Sequence, residues 1–117
     1  MRLVTIIDEL GRFEVVGVAQ TGAETIEGVA ELRPAVLILD MAMPGGDGFD
    51  VLKALKQFPS VPLVIVLTNH PTYRQRSLEA GADYFFDKSA EFDNFLHLLE
   101  RLKPDESAGS QILAKSE

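Results

Sequence analysis

Two apolar runs, AVLIL at 35–39 and LVIVL at 63–67, constrain the fold more than anything else in the chain. Neither alternates in polarity, as a strand with one face in water would. Both therefore read as strands covered on both faces, which calls for a parallel sheet with helices above and below. FEVVGVA (13–19) and YFF (84–86) read as further strands. Between them lie segments of helical length. AETIEGVAEL (23–32) puts Ile26, Val29, Ala30 and Leu32 on one side and Glu24, Glu27 and Glu31 on the other. DGFDVLKALKQF (47–58) spaces Phe49, Leu52, Leu55 and Phe58 at helical intervals. YRQRSLEA (73–80) stops at Gly81, and EFDNFLHLLERL (91–102) turns Phe92, Phe95, Leu98, Leu99 and Leu102 inward. Strand–helix–strand repetition of this kind builds an α/β fold.

The chain has 117 residues and is 46% hydrophobic, enough for one domain with a real core. It has no cysteine, which excludes disulfide and thiolate–metal chemistry. Its formal net charge of −7 argues against direct nucleic-acid binding. Its apolar stretches run to about five residues, far short of the roughly 20 that span a bilayer. MRLVTIIDEL reaches Asp8 and Glu9 too early for a signal peptide. The expectation is a cytoplasmic protein, with a domain over 1–103 and a flexible polar tail over 104–117.

The start is unusual for such a fold. RLVTIIDEL has Leu3, Ile6, Ile7 and Leu10 at helical spacing, followed by Gly11. This predicts a helix feeding the strand at 13–19. The alternative, a strand over RLVTIID, would have to reach its parallel neighbour through a few residues, where a crossover needs a dozen or more.

In open parallel sheets, ligands bind outside the carboxyl ends of the strands. Here those ends carry Asp40, then Thr68 and Asn69, then Asp87 and Lys88. A carboxylate can attack phosphorus, and a hydroxyl and an ammonium can hold the oxygens of a transferring phosphoryl group. Each residue also has a plainer role. An Asp after a strand serves as a turn or capping residue, a Thr suits β geometry, and a Lys is a solvated charge. Asp47 fits a helix cap. His70 and His97 are not expected to bind metal.

With those residues in place, the chain resembles the receiver domain of two-component response regulators over about residues 3–103. LILDMAMPGGDGFDVL is similar to that family's phosphoacceptor segment, including the proline four residues after the Asp. VIVLTN resembles its Thr-bearing strand, and LEAGADYFFDKS its Ala-Gly-Ala turn, switch aromatic and Lys. The resemblance implies a doubly wound, flavodoxin-like parallel sheet with helices on both faces. It implies that a histidine kinase or phosphotransfer protein phosphorylates Asp40. Thr68 and Lys88 would serve the phosphoryl group, and Phe85 would act as the switch. It further implies Mg²⁺ held by Asp40 and the Ala42 backbone oxygen, a downstream protein target, and a signalling role rather than an enzyme's. A second reading is a receiver-like interaction module that works without phosphorylation. A third, a phosphohydrolase, lacks an acid near the nucleophile, since Ala42 stands two residues on.

Two departures stand out. Ser89 follows Lys88 where the family commonly has a cis proline. The family's first strand, central in the sheet and ending in the acidic pair of the metal site, also has no counterpart before residue 13, so the fold is expected to be N-terminally truncated. Strands sit about 4.8 Å apart, so its loss would leave a slot between the strands at 13–19 and 35–39. Three outcomes are expected: direct pairing of those strands, a strand from a second copy in a homodimer, or a weakly stable domain.

Overall fold

A computed structural model describes residues 3–41 and 48–102 with their side chains, and 111–115 as backbone. In chain order the elements are α1 (Leu3–Leu10), β1 (Glu14–Ala19), α2 (Gly22–Leu32), β2 (Val36–Leu39) and α3 (Gly48–Leu55). There follow β3 (Leu63–Thr68), a 3₁₀ turn (Pro71–Tyr73), α4 (Arg74–Glu79), β4 (Tyr84–Asp87), α5 (Phe92–Arg101) and β5 (Gln111–Lys115).

The first segment is the helix that its periodicity predicts. Leu3 and Ile7 are buried, Asp8 and Glu9 face solvent, and Gly11 ends the helix at φ 68°. That conformation strains any residue with a Cβ. Asp8 and Glu9 are thus helix-surface residues.

Strand order in the sheet is β1-β5-β2-β3-β4, with every pairing parallel. The flavodoxin-like order places the first strand of the chain second in the sheet. Here that place belongs to β5. It pairs with β1 from Glu14↔Gln111 to Ala19↔Lys115, with a shift in register between Val15 and Gly17. On its other side it pairs with β2 at Val36↔Ile112, Leu37↔Leu113 and Ile38↔Ala114. The outcome differs from the first two of the three expected. The slot is neither closed by direct pairing of β1 with β2 nor left for a second copy, which removes that reason for a homodimer. Within the expected tail, 111–115 is a strand and not loose chain; the rest of 104–117 lies outside the described residues. The physical reason is that a slot between two parallel strands offers unpaired backbone groups on both sides, and any extended segment that reaches it satisfies them.

Both faces of β2 and β3 are covered, as their non-alternating runs require. All of β2 is buried. Leu37, Leu39, Val64, Val66 and Phe85 point to the side of α2 and α3, against Val29, Val51, Leu52 and Leu55. Val36, Ile38, Ile65 and Leu67 point the other way, against Leu3 and Ile7 of α1 and Phe95, Leu98 and Leu99 of α5. On α2 the expected apolar side is narrower than its sequence suggests. Thr25 and Val29 are buried, Ile26 is partly so, and Ala30 and Leu32 are exposed. Thr25 takes a core position because its hydroxyl donates to the Thr21 carbonyl at 2.8 Å. The described backbone contains no cis peptide, so the bond before Ser89 is trans.

Candidate functional site

Asp40 follows the last residue of β2 at the carboxyl edge of the sheet and is half-buried. Thr68, the last residue of β3, is fully buried, and its hydroxyl donates to Asp40 Oδ1 at 2.9 Å. Parallel pairing of β2 with β3 sets this up by bringing both strand ends out at one edge. A buried hydroxyl needs a partner, and the carboxylate provides it. Lys88 comes directly after β4, half-buried. Its backbone N–H donates to the Thr68 carbonyl at 2.8 Å, one step beyond the last ladder pair, Thr68↔Asp87. The three residues chosen from the sequence therefore share one edge, and Thr68 touches both of the others. Ala42 and Asp47 lie outside the described residues. His70 and His97 are exposed.

Met41, next to Asp40, and Gly48, which opens α3, meet closely. The Gly48 N–H donates to the Met41 carbonyl at 2.8 Å, and Met41 is fully buried. A Cβ at position 48 would stand 2.7 Å from Met41 Cα and 2.6 Å from its Sδ. The first contact is with backbone, which cannot swing aside. Gly48→Ala is expected to cost about 1–3 kcal/mol and to disturb the Asp40 loop; a urea melt with a backbone NMR spectrum checks both.

The turn between β4 and α5 is tightly hydrogen-bonded. Ser89 donates to Asp87 Oδ1 from its hydroxyl at 2.9 Å and from its N–H at 3.0 Å. Glu91 Oε1 accepts the Asp87 N–H at 2.9 Å and pairs with Arg74 of α4. The Arg74 guanidinium also donates to the Phe85 carbonyl at 3.2 Å and lies 4.9 Å from the Phe85 ring centroid. Phe85 itself is buried. The sequence reading passed over Arg74 and Glu91. No spacing rule links residues 17 apart on different elements, and a basic residue opening one helix with an acid before the next is a weak signal.

These bonds favour the ionised acids. The Ser89 hydroxyl and N–H hold the Asp87 carboxyl below its ordinary value; for Glu91 the Asp87 N–H is the largest cause, then Arg74. Acids with depressed pKa stabilise the turn at neutral pH, and that contribution goes as pH falls through the folded-state values. NMR titration is expected to place both midpoints below those of unfolded peptides, and Ser89→Ala is expected to raise that of Asp87. An unchanged Asp87 midpoint in Ser89→Ala would rule out this cause.

Residues 1–100 match the family described as the response regulator receiver domain. The chain is 52% identical over 72 residues to a protein-glutamate methylesterase/protein-glutamine glutaminase of Myxococcus xanthus, covering 59% of this chain and 21% of that protein. It is 35% identical over 108 residues to the response regulator MprA of Mycobacterium leprae, covering 87% of this chain and 47% of that protein. Among solved structures, the response regulator domain of Thermotoga maritima CheB aligns with a TM-score of 0.72 at 32% identity, over 85% of this chain and 81% of that one. The chain thus spans about half of one curated relative and about a fifth of the other, and an esterase activity does not follow from the part they share.

Proposed function

We propose, since this chain belongs to the response regulator receiver domain family, that Asp40 is its phosphoacceptor. Receiver domains work in phosphorelay signalling with histidine kinases or phosphotransfer proteins. The observation that carries the assignment is the Thr68 hydroxyl donating to Asp40 Oδ1 at 2.9 Å on the carboxyl edge. In this reading a carboxylate oxygen of Asp40 attacks the phosphorus of a phosphohistidine. The P–O bond forms as the P–N bond breaks, the imidazole nitrogen keeps the electron pair, and Asp40 becomes an acyl phosphate. The Thr68 hydroxyl turns from the carboxylate to a phosphoryl oxygen. The Lys88 ammonium balances the added charge. Phe85, beside Val66 in the ladder and buried, is the ring that responds.

Receiver domains generally bind Mg²⁺ at an acidic pocket. Among the described residues there is no group of three His, Cys, Asp or Glu side chains able to hold a metal. Mg²⁺ is held through one or two carboxylates together with phosphate oxygens and waters, so Asp40 and the phosphoryl oxygens would hold it here. The phosphoryl charge is then shared between that ion, Thr68 and Lys88. Among the described residues no helix is long and apolar enough to cross a membrane, and the protein acts in the cytoplasm on a downstream protein target. Incubation with a small phosphodonor and Mg²⁺, followed by intact mass measurement, is expected to show one phosphoryl group that is lost on mild alkaline treatment. A mass that never changes would end the proposal.

A further inference from the structure

α4 is held to the domain by unusual means. It has six residues, and Ser77 is the buried one. The Ser77 hydroxyl is enclosed and has no hydrogen-bond partner among the described residues, which costs free energy in the docked arrangement. Leu78 on the same helix stays 42% exposed. Apolar packing at this helix comes from its flanks, where Tyr73 and Ala80 lie against the core, and the Arg76 guanidinium lies 4.1 Å from the Phe49 ring centroid. The Arg74 guanidinium supplies the polar contacts to β4 and to the entry of α5. It donates to the Phe85 carbonyl, lies over the Phe85 ring and pairs with Glu91. Glu91 in turn accepts the Asp87 N–H, and its own N–H donates to the Asp87 carbonyl at 2.7 Å. One side chain at the start of α4 thus joins three elements: α4, β4 and the entry to α5.

We infer that Arg74 is a latch, closed on Glu91, that sets the position of α4 and the inward orientation of the Phe85 ring. Two opposing contributions meet at this helix. The orphaned Ser77 hydroxyl favours release, and the Arg74 contacts oppose it. In this proposal the latched arrangement is in equilibrium with a released one, and an input that favours one of them shifts the balance. Such an input is close by, because the Lys88 N–H binds the carbonyl of Thr68, whose hydroxyl binds Asp40. Turning Thr68 onto a phosphoryl group pulls on the same turn that carries Glu91. This last link rests on Asp40 being the phosphoacceptor; the latch itself does not.

Hydrogen exchange on the unphosphorylated protein tests the latch, because local opening exposes the amides of the element that opens. Arg74→Met is expected to speed exchange about three- to tenfold across 75–80 and 85–91, the range that a partly exposed ion pair and a cation–π contact support. Glu91→Gln is expected to act on the same amides, and the double variant to add less than the sum of the two. Ser77→Ala removes the orphan and is expected to slow exchange in α4, also in the Arg74→Met background. Amides of β2 and β3 should keep their rates throughout. Uniform acceleration over the whole sheet would show that Arg74 only supports general stability and overturns the latch. Unchanged rates in α4, or a Ser77→Ala variant that speeds them, would overturn it as well. Treating the wild type with a small phosphodonor separates the two proposals. Absence of the phosphoryl mass defeats the role of Asp40 and leaves the exchange result on Arg74 standing.

Discussion

Ending the chain at Ser110 is expected to abolish cooperative folding. β5 lies between β1 and β2, so its removal takes out two parallel ladders and separates β1 from the rest of the sheet. Each lost backbone hydrogen bond is worth about 0.5–1.5 kcal/mol net, more where a buried partner is left unsatisfied. The loss is then expected to reach about 5 kcal/mol or more, which equals the whole stability of many small domains. Circular dichroism and a thermal melt decide it. A shortened chain melting with the cooperativity and midpoint of the full one would show that β5 contributes nothing. Leu113→Pro tests the same strand without shortening it, because proline cannot donate to a ladder and is not accommodated inside a central strand. Its effect should approach that of the deletion. A permuted chain, with residues 111–117 joined by a flexible linker ahead of Leu3, should fold. β5 ends at the carboxyl edge, and α1, which must run back to feed β1, begins there.

Asp40→Asn is expected to remove phosphoryl incorporation from a small phosphodonor by at least about a hundredfold, because an amide oxygen is not a competent nucleophile toward phosphorus. The fold should survive. The amide oxygen still accepts from the Thr68 hydroxyl, so the stability change should stay within about 1 kcal/mol. Thr68→Ala separates the roles of the two groups. It keeps the nucleophile and removes one donor from the developing charge, which predicts slower incorporation by about 10²-fold and not its loss. Intact mass against time distinguishes the three proteins. Incorporation that persists in Asp40→Asn would place the phosphoryl group elsewhere.

The positions of Asp40, Thr68 and Lys88 at one edge were legible in the sequence for a local reason. Non-alternating apolar runs identify parallel strands covered on both faces, and the polar residue that ends each run must then emerge at the carboxyl edge. The same reasoning gave α1 its helical character from the spacing of Leu3, Ile7 and Leu10, and left Asp8 and Glu9 on its surface as the structure has them. Gly48 was visible only as one of several glycines in a loop. That a side chain there is costly follows from the 2.7 Å approach to Met41 Cα, a tertiary contact. Arg74 and Glu91 meet because α4 and α5 both begin beside β4, a relation between elements that no window of sequence contains.

The strand QILAK is the sharpest case. Five residues after a polar, proline- and glycine-containing stretch carry too little pattern to separate strand from tail. What makes them a strand is the slot between β1 and β2, whose backbone groups need partners on both sides. Local pattern determined which segments are helix or strand and which residues stand at the ligand edge, because burial on one face or two is written into hydrophobic spacing. Only the tertiary structure decided what completes the sheet. That choice depends on unpaired hydrogen bonds in a gap that exists only once the other four strands have assembled.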